Sequence, residues 1–125
     1  EVFIHIGLVP DGGGSWLLPR LVGLQRAKEI IMMGKMVTAE EAERIGMVNK
    51  VVPEEELMST AKEYAKTLAS LPTRTLGAAK KTINKAMTTN LREAMDYEMT
   101  MQALCFQTEA HQERVKAFLE KRKQK

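Results

Sequence analysis

From Pro53 to Arg122 apolar residues recur three and four positions apart, which commits most of the chain to amphipathic helices. Pro53-Glu54-Glu55-Glu56 opens the first, with proline in the tolerated first turn and acids at the positive helix end. Its stripe of Leu57, Ala61, Tyr64, Leu68 and Leu71 stops at Pro72. Thr73 is placed to cap the next helix, with Leu76, Ala79, Ile83 and Met87 expected inward. Asn90-Leu91-Arg92-Glu93 opens another in the manner of a capping box, followed by Leu91, Met95, Met99, Gln102 and Phe106 on one stripe. A last helix spans about 109–122, with Val115, Phe118 and Leu119 apolar. Lys121-Arg122-Lys123-Gln124-Lys125 sets cations at its negative end.

The first third has a different texture. Val2-Phe3-Ile4-His5-Ile6 is β-branched and weakly alternating, and reads as a strand or extended segment. Gly7, Pro10 and the run Asp11-Gly12-Gly13-Gly14-Ser15 break it. A short helix from about Ser15 to Leu21 follows, stopped by Gly23, and a second from Leu24 to Met33 puts Ala27, Ile30 and Ile31 on one face before Gly34. Thr38-Ala39-Glu40-Glu41 is a capping box for a short helix that Gly46 ends. Residues 47–52 read as a brief strand up to Pro53. The fold class is mainly α with short strands.

Composition narrows the function. A net charge of +3 is too small to argue for nucleic acid, though it suits an anionic small ligand. No apolar run reaches the roughly 18–20 residues of a membrane span, so no membrane partner is expected. One cysteine excludes an internal disulfide framework and, with two histidines, supplies no structural zinc set. The expected metal content is none and the expected compartment is reducing and cytoplasmic. The chain opens on Glu1 with no basic and apolar leader, and begins inside a predicted strand without an initiator methionine. Both features are expected of a piece of a longer protein.

The Gly-rich turn at 11–15 carries the sharpest local signal, because glycines before a helix let a ligand or another backbone approach the N–H groups. It is neither a P-loop nor a dinucleotide fingerprint, since no Gly-Lys-Ser/Thr follows and the glycine spacing is wrong. A structural tight turn is favoured over a ligand site by pattern alone, both remaining open, and Asp11 taken alone reads first as a helix N-cap. His5 is expected to be a satisfied core or surface histidine, His111 solvated, Cys105 a buried inert thiol and Trp16 a core anchor. Nine methionines against three phenylalanines, with Met95, Met99 and Met101 together, suggest an adaptable core or a subunit interface.

Three motifs in order carry a family resemblance. Ile6-Gly7-Leu8-Val9-Pro10-Asp11-x-Gly13-Gly14 is followed by Leu18-Pro19-Arg20-Leu21-Val22-Gly23 and Ala27. Gly34-x-x-Val37-Thr38-Ala39-x-x-Ala42-x-x-x-Gly46-Met47-Val48 leads to Val51-Val52-Pro53, and Ala117-Phe118-Leu119-Glu120-Lys121-Arg122 closes the chain. Together they resemble the enoyl-CoA hydratase/isomerase (crotonase) superfamily, specifically its C-terminal half. The resemblance implies the C-terminal part of the α/β crotonase ββα-spiral fold, with residues 1–53 at the edge of the spiral core and 54–125 as a helical oligomerisation region. A homotrimer or hexamer is implied in turn.

Family chemistry acts on a coenzyme A thioester as substrate, with no further cofactor. Two backbone N–H groups stabilise a thioester enolate and a carboxylate moves the proton. The resemblance assigns the oxyanion donors and a first catalytic glutamate to the half that precedes these motifs. The second hydratase glutamate would fall where Phe3 stands, seven residues before Pro10, and Glu1 is two residues off. An acid directly after the proline is the proton shuttle of members that shift double bonds, and Asp11 matches it. Phe3, Pro10 and Gly12 are implied beside the acyl group, where apolar Phe3 excludes water and suits isomerisation. Phe118 and Lys121 match positions that approach the adenine and phosphates of coenzyme A. The family's usual Glu-Gly before that phenylalanine is Glu113-Arg114 here. The implied activity is enoyl-CoA isomerisation; the alternatives are hydration by the same fold and a non-catalytic helical oligomerisation module.

Overall fold

A computed structural model describes residues 2–123. Glu1 and the tail residues Gln124 and Lys125 lie outside the described residues. Seven α-helices follow one another among the described residues: α1 (Gly14–Val22), α2 (Leu24–Met33), α3 (Ala39–Arg44), α4 (Leu57–Ala69), α5 (Thr73–Ala86), α6 (Leu91–Phe106) and α7 (Glu109–Lys123). Short 3₁₀ turns at Phe3–Ile6 and Glu54–Glu56 complete the regular structure. The chain divides into two compact units, Glu1–Leu57 and Met58–Lys125.

The first unit holds the core. Leu18 and Val22 of α1 meet Ala27 and Ile30 of α2 and Ile45 after α3, with Ile31, Val37 and Met47 packed around them. Ala27 is the most enclosed, at 1% exposure, and its small side chain lets α1 and α2 approach. Gly23 separates the two helices and donates its N–H to the Pro19 carbonyl at 3.0 Å. Thr38 caps α3 by accepting the Glu41 N–H at 3.2 Å. The reciprocal half of the predicted capping box is altered: the Glu41 carboxylate accepts from Lys35 and Arg44, each at 3.4 Å. The neighbouring Glu40 carboxyl is held below the usual glutamate range by its own backbone N–H and then by the Thr38 hydroxyl.

Both predicted strands are corrected. Residues 3–6 form a 3₁₀ turn in which His5 N–H donates to the Val2 carbonyl at 3.1 Å and Gly7 N–H to that of Ile4 at 3.1 Å. Residues 47–52 are irregular, with the Val51 N–H held by the Glu43 carboxylate at 3.1 Å. A strand satisfies its backbone only through a neighbouring ladder, and none exists among the described residues, so local bonds take over.

His5 packs back onto the end of α2, its Nε2 at 3.4 Å from the Gly34 carbonyl oxygen. Gly34 is left-handed, at φ 58°, and a Cβ there would collide with the imidazole. Gly34→Ala is therefore expected to destabilise the full-length protein. The left-handed backbone alone costs about 1–2 kcal/mol, and the displaced histidine adds to it. Urea denaturation checks this: the midpoint should fall, and adding His5→Ala should recover only the collision part.

In the second unit α5 and α6 pack together, and α7 follows α6. Asn90 caps α6 as predicted, accepting the Glu93 N–H at 3.0 Å. Thr73 does not cap α5: Pro72 holds that position and makes no side-chain bond. The predicted inward stripes are exposed in large part. Ile83 is 64% exposed, Met99 70% and Leu91 77%, and the α4 stripe from Leu57 to Leu71 is exposed throughout. Helical periodicity identifies an apolar face but not the element that covers it.

Candidate functional site

The Gly-rich turn is built by its glycines. Gly12 and Gly13 take positive φ of 56° and 89°, which a side chain would strain, and Gly13 is the N-cap of α1. The Asp11 carbonyl accepts the Gly14 N–H at 2.8 Å, and the Gly13 carbonyl accepts the Trp16 and Leu17 N–H groups at 2.9 Å each. The N-cap reading of Asp11 is thereby corrected, since the cap position carries no side-chain bond. The Asp11 side chain is exposed, on a backbone closed by its own carbonyl. Its carboxylate is consequently presented to whatever meets the turn, with no side chain on the three following residues to obstruct it.

Pro10 and Phe3 are half-buried in the same unit, and Gly12 sits in the turn itself. The Phe3 carbonyl accepts the Leu8 N–H at 3.0 Å, folding the segment between Phe3 and Pro10 back on itself. Phe118 and Lys121 belong to the other compact unit, on α7, where both are exposed and Phe118 is 65% so.

Three expectations about single residues change. Trp16 is not a core anchor: it is 42% exposed, with the Arg20 guanidinium 3.8 Å from its ring centroid. Arg20 Nη1 also donates to the Trp16 carbonyl at 2.8 Å. The sequence signal for this pair is an aromatic residue and an arginine four apart on a helix. Cys105 is half-buried instead of buried, on a groove of about 580 Å³ between α5 and α6. His111 is half-buried as well, its ring edge-on to Phe106 at 5.1 Å, because Thr108 caps α7 and turns the chain there.

With this geometry, similarity to known proteins is specific. A sequence model described as enoyl-CoA hydratase/isomerase matches residues 1–125. The chain is 42% identical over 120 residues to the 1,2-epoxyphenylacetyl-CoA isomerase of Escherichia coli strain K12, covering 96% of this chain and 46% of the relative. It is 40% identical, with the same coverage, to the short-chain-enoyl-CoA hydratase of Clostridium acetobutylicum. Its backbone matches the crystal structure of an enoyl-CoA hydratase from Bacillus anthracis with a TM-score of 0.90, at 32% identity, over 96% of this chain and 46% of that one. The chain thus spans about half the length of these relatives. By motif order, backbone and sequence together, the chain belongs to the enoyl-CoA hydratase/isomerase family.

Proposed function

We propose that the chain is the C-terminal part of an acyl-CoA-processing enzyme that shifts a double bond through a thioester enolate, with Asp11 as the proton carrier. The observation that carries this reading is the exposed Asp11 carboxylate on a glycine turn, free of any capping duty, with Phe3 where a hydratase would hold its second glutamate. The Asp11 carboxylate takes a proton from the carbon flanking the double bond. The electron pair spreads through the conjugated system onto the thioester oxygen, and the resulting carboxylic acid returns the proton at the far carbon. No water is consumed. A half-buried Phe3 stands where a second acid would activate one. On α7, Phe118 offers an aromatic face for adenine and Lys121 an ammonium for phosphate.

The test supplies the full-length protein with a 3-enoyl-CoA in deuterated water. The expected product is the 2-enoyl-CoA, with deuterium at the protonated carbon only to the extent that the Asp11 acid exchanges with solvent before it returns the proton. Accumulation of a 3-hydroxyacyl-CoA would favour the hydratase reading, which a relative named as a hydratase also supports. Absence of both products would leave the oligomerisation module.

The exposed apolar faces of α4 and α6 support self-association, at about 25 cal/mol for each Å² of apolar area covered. The full-length protein is expected to be a trimer or a dimer of trimers. A strict monomer by light scattering at micromolar concentration would contradict this.

A further inference from the structure

The apolar side chains of α7 do little to hold it in place, since Val115, Phe118 and Leu119 are all exposed. Its first turns are fixed by polar and edge contacts instead. Thr108 Oγ1 accepts the His111 N–H at 3.3 Å, and the His111 ring stands edge-on to Phe106 of α6 at 5.1 Å. One turn on, Arg114 Nη2 donates to the Ser70 carbonyl at 2.8 Å. The acceptor suits the donor. Ser70 lies just past the C-terminal end of α4, where carbonyls carry partial negative charge. The Lys66, Thr67 and Leu68 carbonyls are met locally, by the Ser70 and Leu71 N–H groups and the Ser70 hydroxyl. The Ser70 carbonyl is met by Arg114, so the guanidinium pins α7 to the turn between α4 and α5 within one compact unit.

His111, Arg114, Phe118 and Lys121 follow one another at helical spacings and share one face of α7. A tie at Arg114 therefore fixes the rotation of the face that presents Phe118 and Lys121. A glycine, which the family pattern has at this position, could make no such tie. We propose that Arg114 is a positioning residue for the nucleotide end of coenzyme A, holding α7 against the Ser70 carbonyl so that Phe118 and Lys121 are set before the ligand arrives. This rests on the reading of Phe118 and Lys121 as the residues that meet adenine and phosphate. Preorganisation lowers the ordering cost of binding, and apparent affinity scales with the fraction of molecules already in the competent arrangement.

The test compares, in the full-length protein, an enoyl-CoA with the N-acetylcysteamine thioester of the same acyl group, which lacks the nucleotide. Arg114→Met keeps an apolar stem and a good helix former but removes the donor. It should raise KM for the coenzyme A thioester by about tenfold, as when about one molecule in ten is competent, with kcat within about twofold of the parent. Turnover of the truncated thioester should not change. Arg114→Lys should recover most of the loss, because the carbonyl takes a single cationic donor. Where Phe118→Ala and Lys121→Ala are already in place, adding Arg114→Met should cost nothing further. An unchanged KM, an equal loss with both thioesters, or a loss that adds fully to that of the Phe118→Ala, Lys121→Ala pair overturns the proposal; the last would mean that Arg114 meets the phosphates itself. If Arg114→Met fails to fold, amide hydrogen exchange on the ligand-free parent serves: the amides of residues 112–121 should be protected, and exchange at the rate of an unstructured chain overturns the proposal. Failure of the underlying reading looks different. The Phe118→Ala, Lys121→Ala pair would then bind the coenzyme A thioester as the parent does, whereas failure of the proposal alone leaves that pair impaired and Arg114→Met unaffected.

Discussion

Asp11→Asn in the full-length protein is expected to reduce double-bond migration by about 10²–10⁴-fold, the usual contribution of a general base, while acyl-CoA binding stays near the parent value. Asparagine keeps the size of aspartate and loses only the capacity to take a proton from carbon. The turn should survive the change. Its closing bond runs from the Gly14 N–H to the Asp11 backbone carbonyl, and α1 is capped at Gly13 without help from the Asp11 side chain. The substitution therefore separates chemistry from structure more cleanly than it would if Asp11 were the cap. Near-parent turnover in Asp11→Asn, with circular dichroism unchanged, would place the base elsewhere. Phe3→Glu is the companion change. It sets a carboxylate at the hydratase-like position, and its half-buried site makes the charge costly to hold there.

The second large effect is expected from residues 1–125 on their own: no saturable turnover of a short enoyl-CoA. The family resemblance assigns the oxyanion donors to the other half of the fold, and the chain spans about half the length of its relatives. Loss of a single such donor already raises a barrier by about 2.7–4 kcal/mol, and here both would be missing. The packing points the same way. The buried core is confined to a few side chains of the first unit, while Leu91, Met99 and Phe118 stand exposed in the second. Appreciable turnover by this segment alone would mean that its own N–H groups stabilise the enolate. The glycine turn at 12–14 would then be the place to look for them.

What was legible in the sequence followed from local rules. Helix positions came from periodicity, and the starts of α3 and α6 came from side chains that bond their own backbone, Thr38 and Asn90. The core face of α2 was legible because Ala27 and Ile30 meet α1 across the single residue Gly23. The glycine run announced a turn that only residues without Cβ can make, and Gly12 and Gly13 have the positive φ to match.

Tertiary structure decided the rest, wherever the outcome depended on a partner distant in the chain. Val2 to Ile6 has strand composition, but a ladder needs a neighbour, and the segment curls into a 3₁₀ turn that brings His5 against Gly34. The same physics left the α4 and α6 stripes exposed, since a hydrophobic pattern states a need for cover without naming the cover. Trp16 shows the point in one residue. Its apolar bulk predicts a core, yet Leu18 and Val22 already fill the α1 face toward α2, and Arg20 one turn away takes the indole instead. Sequence by itself determined the helices and the turn that presents Asp11; packing decided which apolar faces found a neighbour, because burial depends on the whole chain and hydrogen-bonded turns on a few residues.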